Sequence, residues 1–152
     1  MAAIKSKNTK PELIVRKFLF KRGFRYRIHF NRLPGHPDIV MKKYRTVIFV
    51  NGCFWHGHEC KFASIPKSNT KFWKDKITRN KERDKLTIKK LALMGWNSIT
   101  IWECQIKPKT RDDTLNALEH TLNKIFLMNN NKTYHTENNS FIIAAEEQTE
   151  YN

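Results

Sequence analysis

Two cysteines and two histidines fall within eight positions, in the run Cys53-Phe54-Trp55-His56-Gly57-His58-Glu59-Cys60, and a third cysteine, Cys104, follows far downstream. Thiolates and imidazoles are the ligands zinc prefers, and four protein ligands close a tetrahedral site, so Cys53, Cys60, Cys104 and one histidine predict a structural Cys3His centre. Spacing alone allows either His56 or His58 as the fourth ligand. The competing reading is three buried free thiols beside solvent-facing histidines. Asp38 stands at the mouth of an apolar strand, where aspartate is disfavoured. It is either a hard oxygen ligand for Mg2+ or a cap for the turn after Pro37. Asp84 is the third candidate. At 100° per residue it falls with Ile77, Asn80, Ile88 and Leu91 on the face of Trp73. A carboxylate on an apolar stripe must be paired, hydrogen-bonded or part of a site. Its partner is either a basic side chain or His56, whose tautomer and basicity a carboxylate would set. Phe54 and Trp55 either pack around the metal loop or wedge into a stack of bases.

These residues need a frame. Thr9 caps a helix with Pro11 in its first turn, Glu12 at the reciprocal position of a capping box, and Gly23 at its end. Phe24 to Phe30 alternates as a half-buried strand does, and Leu33 to Pro37 is a loop. Asp38 to Met41 is a short strand. Thr46 to Val50 is apolar and β-branched throughout, which predicts a central strand buried on both faces. Residues 51–66 are irregular, with little core of their own, so a metal would pin them to the strand that carries Cys104. A long helix runs from about Thr70 to Met94 and stops at Gly95, a strand covers Ser98 to Trp102, and an amphipathic helix from Arg111 to Met128 carries Leu115, Leu118, Leu122 and Ile125. That order predicts a single three-layer α/β domain over residues 1–128 with a central mixed sheet. Residues 129–152, Asn-rich and acidic at the end, read as a disordered tail.

Charge narrows the function. Among 152 residues, 29 are Lys or Arg and 14 Asp or Glu. Residues 1–109 hold 26 of the basic and 7 of the acidic side chains, and all four tryptophans. Basic side chains interleaved with aromatics suit nucleic acid, because phosphates attract the former and bases stack on the latter. No apolar run is long enough to span a membrane and no cationic amphipathic helix stands apart, so a membrane partner is not expected. The start MAAIKSKNTK lacks a signal-peptide core, which predicts a cytoplasmic protein. Three cysteines cannot all pair within the chain, so a disulfide framework is not expected.

Taken together, several stretches resemble the very short patch repair (Vsr) DNA mismatch endonucleases. They are Ser6 to Glu12, Gly23 to Arg27, Leu33-Pro34-Gly35-His36-Pro37-Asp38, Val47 to His58, Phe72-Trp73, Glu82-Arg83-Asp84, and Gly95-Trp96 leading to Trp102-Glu103-Cys104. The resemblance covers residues 1 to about 128. It implies a restriction-endonuclease-like fold, a structural zinc, and Mg2+-dependent hydrolysis of double-stranded DNA on the 5′ side of the thymine in a T:G mismatch. By the same resemblance Asp38 is the Mg2+ ligand, joined by the backbone carbonyl of Val50. His56 is the general base, Asp84 orients it, and Glu12 is an acidic residue beside the site. The zinc ligands become Cys53, His58, Cys60 and Cys104. Met1, Phe54 and Trp55 intercalate beside the mismatch, and Asn51 binds phosphate as a neutral group. Val50 stands where a family member carries threonine, and Asn51 where one carries histidine. The resemblance further implies a monomer at the bacterial nucleoid, with other mismatch-repair proteins as partners. Two further readings are a zinc-stabilised DNA-binding module without catalysis, and a nuclease of this fold without mismatch selectivity.

Overall fold

A computed structural model describes residues 8–138, with side chains described to residue 130. The chain divides into two compact units, the first ending at Leu115 and the second beginning at Asn116.

The first unit opens with α1, Lys10–Lys21. Thr9 caps it as its residue type predicts, the hydroxyl accepting from the Glu12 amide at 3.4 Å. The other half of the expected capping box moves back by one residue: Glu12 Oε2 accepts from the amide of Asn8, at 3.0 Å, rather than from Thr9. Three strands follow, β1 (Ile39–Met41), β2 (Thr46–Asn51) and β3 (Asn97–Trp102), in the order β1-β2-β3. β1 runs antiparallel to β2, which runs parallel to β3. The sheet is therefore mixed, as expected, and the class is α/β. The parallel pair needs a long crossover, and α2, Thr70–Leu93, supplies it. Val47 and Ile48 in the middle strand are fully buried, and a core of Leu33, Val40, Val47, Leu91 and Trp96 ties loop, sheet and α2 together.

The strand expected over Phe24–Phe30 does not form. Arg27 alone bridges Val40, through reciprocal amide–carbonyl bonds of 2.8 and 2.9 Å. Two residues on, His29 adopts a φ of +54° and turns the chain away before a ladder can extend. The expected alternation of faces holds only at the start: Phe24 is buried and Arg25 exposed, but Ile28, on the expected inward face, is 38% exposed.

α3 spans Arg111–Asn138, ten residues past Met128. No glycine or proline lies after Pro108 to stop it. The expected stripe of Leu115, Leu118, Leu122 and Ile125 is buried. From residue 139 on, the expected tail lies outside the described residues, as does Met1. Among the described residues no helix is long and apolar enough to cross a membrane.

Register decides where the chemistry gathers. Because Ile39 pairs with Ile48, the start of β1 lies beside the end of β2. Because Asn51 pairs with Trp102, β2 and β3 end together. Asp38, Val50, Asn51, Cys53 and Cys104 are therefore delivered to one edge of the sheet by pairing alone.

Candidate active site and metal-ligand cluster

Asp38 leaves the sheet at this edge with its carboxyl turned toward β2, where Oδ2 accepts from the Val50 amide at 2.7 Å. Burial pushes the Asp38 carboxyl up to about 6, the Val50 N–H opposes this, and the neighbouring Glu12 raises it further. Glu12 comes from α1, is only 3% exposed, and is held by Arg16 Nη2 at 3.0 Å. Two carboxyls crowded in a partly dry place are the donor set a hard divalent cation fits, since the cation favours the charged form that burial and mutual repulsion oppose.

Across the cavity, His56 Nδ1 lies 2.6 Å from Asp84 Oδ2. Their side chains are 24% and 31% exposed, so the pair is reachable from solvent. With Nδ1 as the donor to the carboxylate, Nε2 carries the lone pair. The loop bearing His56 is fixed from several directions. Its own amide donates to Gly52 O at 3.3 Å, His58 N to Cys53 O at 2.9 Å, and Asn80 Nδ2 of α2 holds Trp55 O at 2.9 Å. Gly57 has a φ of +65°, and a Cβ there would meet Ile77 Cγ2 at 2.7 Å and Lys81 Cδ at 2.6 Å. The loop thus rests directly on α2, one turn before Asp84. A cavity of about 900 Å3 joins these groups: Glu12, Asp38, Val50, Asn51, Trp55, His56 and Asp84 all line it.

Beside the cavity, Cys53, His58, Cys60 and Cys104 bring their ligand atoms within 4.8 Å of one another. The His58–Cys104 approach is 3.5 Å, and Cys104 N donates to Cys53 Sγ at 3.4 Å. This cluster can hold a metal ion, and it takes His58, not His56. Trp102 stacks on the His58 ring at 4.2 Å and 11°. Burial pushes the Cys53 thiol up to about 12, with Cys60 and Cys104 adding to the shift. A cation among the sulfurs is what would hold them as thiolates.

Phe54 and Trp55 do not stand alone. Trp73 of α2 meets them edge to face, with centroids 5.4 and 5.8 Å away, and Phe72 joins at 5.1 Å from Trp73. Lys76 Nζ sits 5.4 Å over Trp55 and 5.9 Å over Trp73. Trp73 marks the apolar face of α2, and no wedging role for it follows from its residue type. The signal was present, because Trp73 and Lys76 are three apart and share a face.

A basic chain whose one cavity carries a histidine–carboxylate pair and two further acids has the groups a nuclease uses. The comparisons make the class specific. The family model described as DNA mismatch endonuclease Vsr matches residues 1–62. The type II nicking enzyme V.NmeAIP of Neisseria meningitidis serogroup A is 55% identical over 109 residues, covering 72% of this chain and 78% of that protein. V.XorIIP of Xanthomonas oryzae is 43% identical over 125 residues, covering 82% and 88%. The DNA mismatch endonuclease Vsr of Escherichia coli K12 is 39% identical over 111 residues, covering 73% and 71%. The chain belongs to the Vsr family of DNA mismatch endonucleases, whose fold is restriction-endonuclease-like.

Proposed function

We propose that this protein nicks one strand of duplex DNA 5′ to the thymine of a T:G mismatch by Mg2+-dependent hydrolysis, initiating very short patch repair. The observation that carries the proposal is the His56–Asp84 pair, 2.6 Å apart, opening on the cavity that Asp38 and Glu12 also line. The relatives named as nicking enzymes support a single-strand cut.

His56 Nε2 takes the proton from the attacking water, and Asp84 keeps the ring in that tautomer and steadies the imidazolium that results. Asp38, with the Val50 carbonyl, would hold Mg2+, which when bound would supply positive charge against the phosphate and the leaving oxygen. Glu12 completes the acidic wall, held in place by Arg16. Asn51 donates its side-chain amide to a phosphate at the end of β2. Phe54, Trp55 and Met1 enter the base stack, and Trp73 buttresses the two loop rings. Cys53, His58, Cys60 and Cys104 would hold zinc, which would fix the loop that begins at Cys53 and with it His56. On this reading the protein works as a monomer at the bacterial nucleoid.

The test is strand cleavage with Mg2+ on two duplexes that differ by one T:G pair. A nick confined to the mismatched duplex, 5′ to its thymine, is the expected result. Equal cutting of both would leave a nuclease without mismatch selectivity. Binding without cutting would leave a zinc-stabilised DNA-binding module.

A further inference from the structure

A second cavity, of about 520 Å3, adjoins the first and shares Glu12, His36 and Asp38 with it. Arg16, His29 and Asn31 form the rest of its polar wall. Arg16, His29, Asn31 and His36 give it four side chains able to donate hydrogen bonds. Arg16 is 8% exposed, uses Nη1 on Asn8 Oδ1 at 2.8 Å and Nη2 on Glu12 at 3.0 Å, and keeps a buried Nε with no partner. A buried N–H left without an acceptor is costly. His29 and His36 flank the cavity, and both hold left-handed backbone, at φ +54° and +46°. Such conformations are uncommon outside glycine, and they set where each ring points. The second is also locked from behind. A Cβ on Gly35, the residue before His36, would lie 2.3 Å from Thr87 Cγ2 of α2, so the loop cannot retreat.

We propose that this cavity is a subsite for a backbone phosphate of the cut strand, the neighbour of the phosphate that lies over Asp38. The proposal rests on the nuclease reading above, which puts the scissile phosphate in the larger cavity. Successive phosphates of one strand advance by about 3.4 Å along the duplex axis. The two cavities share Glu12, His36 and Asp38, so the adjoining space is the one assigned to the neighbouring phosphate. The Asn31 amide is a donor that recurs on phosphate oxygens, and the imidazole N–H groups of His29 and His36 can donate in the same way, while Arg16 holds Glu12. The carboxyls of Glu12 and Asp38 form the opposite wall and repel an anion. They restrict the phosphate to the side of His29, Asn31 and His36, which gives the strand one register across the site.

The experiment uses the full chain and T:G duplexes that each carry one uncharged methylphosphonate at a phosphate near the nick, with affinity read in Ca2+ to prevent cleavage. Wild-type protein is expected to lose at least about fivefold in affinity when a phosphate adjoining the scissile one is neutralised. The His29→Ala/His36→Ala protein is expected to bind the unmodified duplex weaker by a similar factor and to be indifferent to that methylphosphonate. Both residues are exposed, so the double variant keeps its core. His29→Asn/His36→Asn, which tolerates left-handed backbone and retains a donor, should recover part of the loss. Additive losses in the Ala variant, or normal affinity for unmodified DNA, would overturn the subsite while leaving the nuclease reading intact. Failure of the wild-type chain to bind any duplex would overturn both.

Discussion

Burial governs the behaviour of Asp38. Its folded-state carboxyl sits at about 6, above the ordinary aspartate value of 3.8. A raised carboxylate binds its proton more tightly in the folded state. Its stabilising contribution is therefore complete below the ordinary value and is lost as pH rises through about 6. The metal-free protein should lose roughly 1–3 kcal/mol of stability between pH 4 and pH 7 from this group, and Asp38→Asn should flatten that slope in a denaturant titration. A divalent cation should restore stability on the alkaline side, where the carboxylate is charged. His56 and Asp84 separate chemistry from positioning. His56→Ala should slow single-turnover nicking by about 10²- to 10⁴-fold, as loss of a general base does. Asp84→Asn, which favours the wrong imidazole tautomer, should cost up to about 10⁴-fold in the same assay. Near-normal nicking by that variant would contradict the orienting role. At this scale much was legible. Cys53, His58, Cys60 and Cys104 do converge, and Asp84 does meet His56. Spacing could not choose between His56 and His58, because that choice depends on how the loop turns at Gly57. Nor could it link Glu12 to Asp38, since their neighbourhood comes from α1 lying against the sheet edge rather than from any spacing.

Among the elements, α2 does the positioning. Gly57 and Gly35 let two separate loops touch it, and both carry residues of the cavity wall. Gly57→Ala meets strain at φ +65° and a clash with Ile77, so it should cost about 2–4 kcal/mol and displace His56. Gly23→Ala is the control. Its φ is +88° but nothing lies within 4 Å of the added methyl, so roughly 1 kcal/mol of backbone strain is expected. Thermal melts of the two variants compare the losses, and equal melting points would contradict close seating of the loop on α2. The central strand, the crossover helix and the cap at Thr9 were readable because each has a local cause: β-branched runs, a long 3.6-residue period, a hydroxyl before proline. Alternation over Phe24–Phe30 does not make a strand, because a period of two neither guarantees burial, as exposed Ile28 shows, nor supplies a partner strand. The end of α3 was misread because asparagine is polar yet does not break a helix.

For the whole molecule, charge sets the partner and the sheet edge sets the chemistry. The net charge of +15 should make binding to duplex DNA strongly salt-dependent, with at least about a hundredfold loss of affinity between roughly 50 and 200 mM salt if several phosphates are contacted. A shallow dependence would mean that the basic residues of 1–109 are spread over faces that do not meet DNA. On the proposed reading, one end of the mixed sheet carries two separate metal-binding places, one for chemistry at Asp38 and one for structure at Cys53. The most direct test combines two readouts on Asp38→Ala: nicking of a T:G duplex in Mg2+, and zinc content of the purified protein. Nicking should be abolished while zinc content stays as in wild type. Near-normal nicking by that variant, or loss of zinc along with activity, would contradict the division.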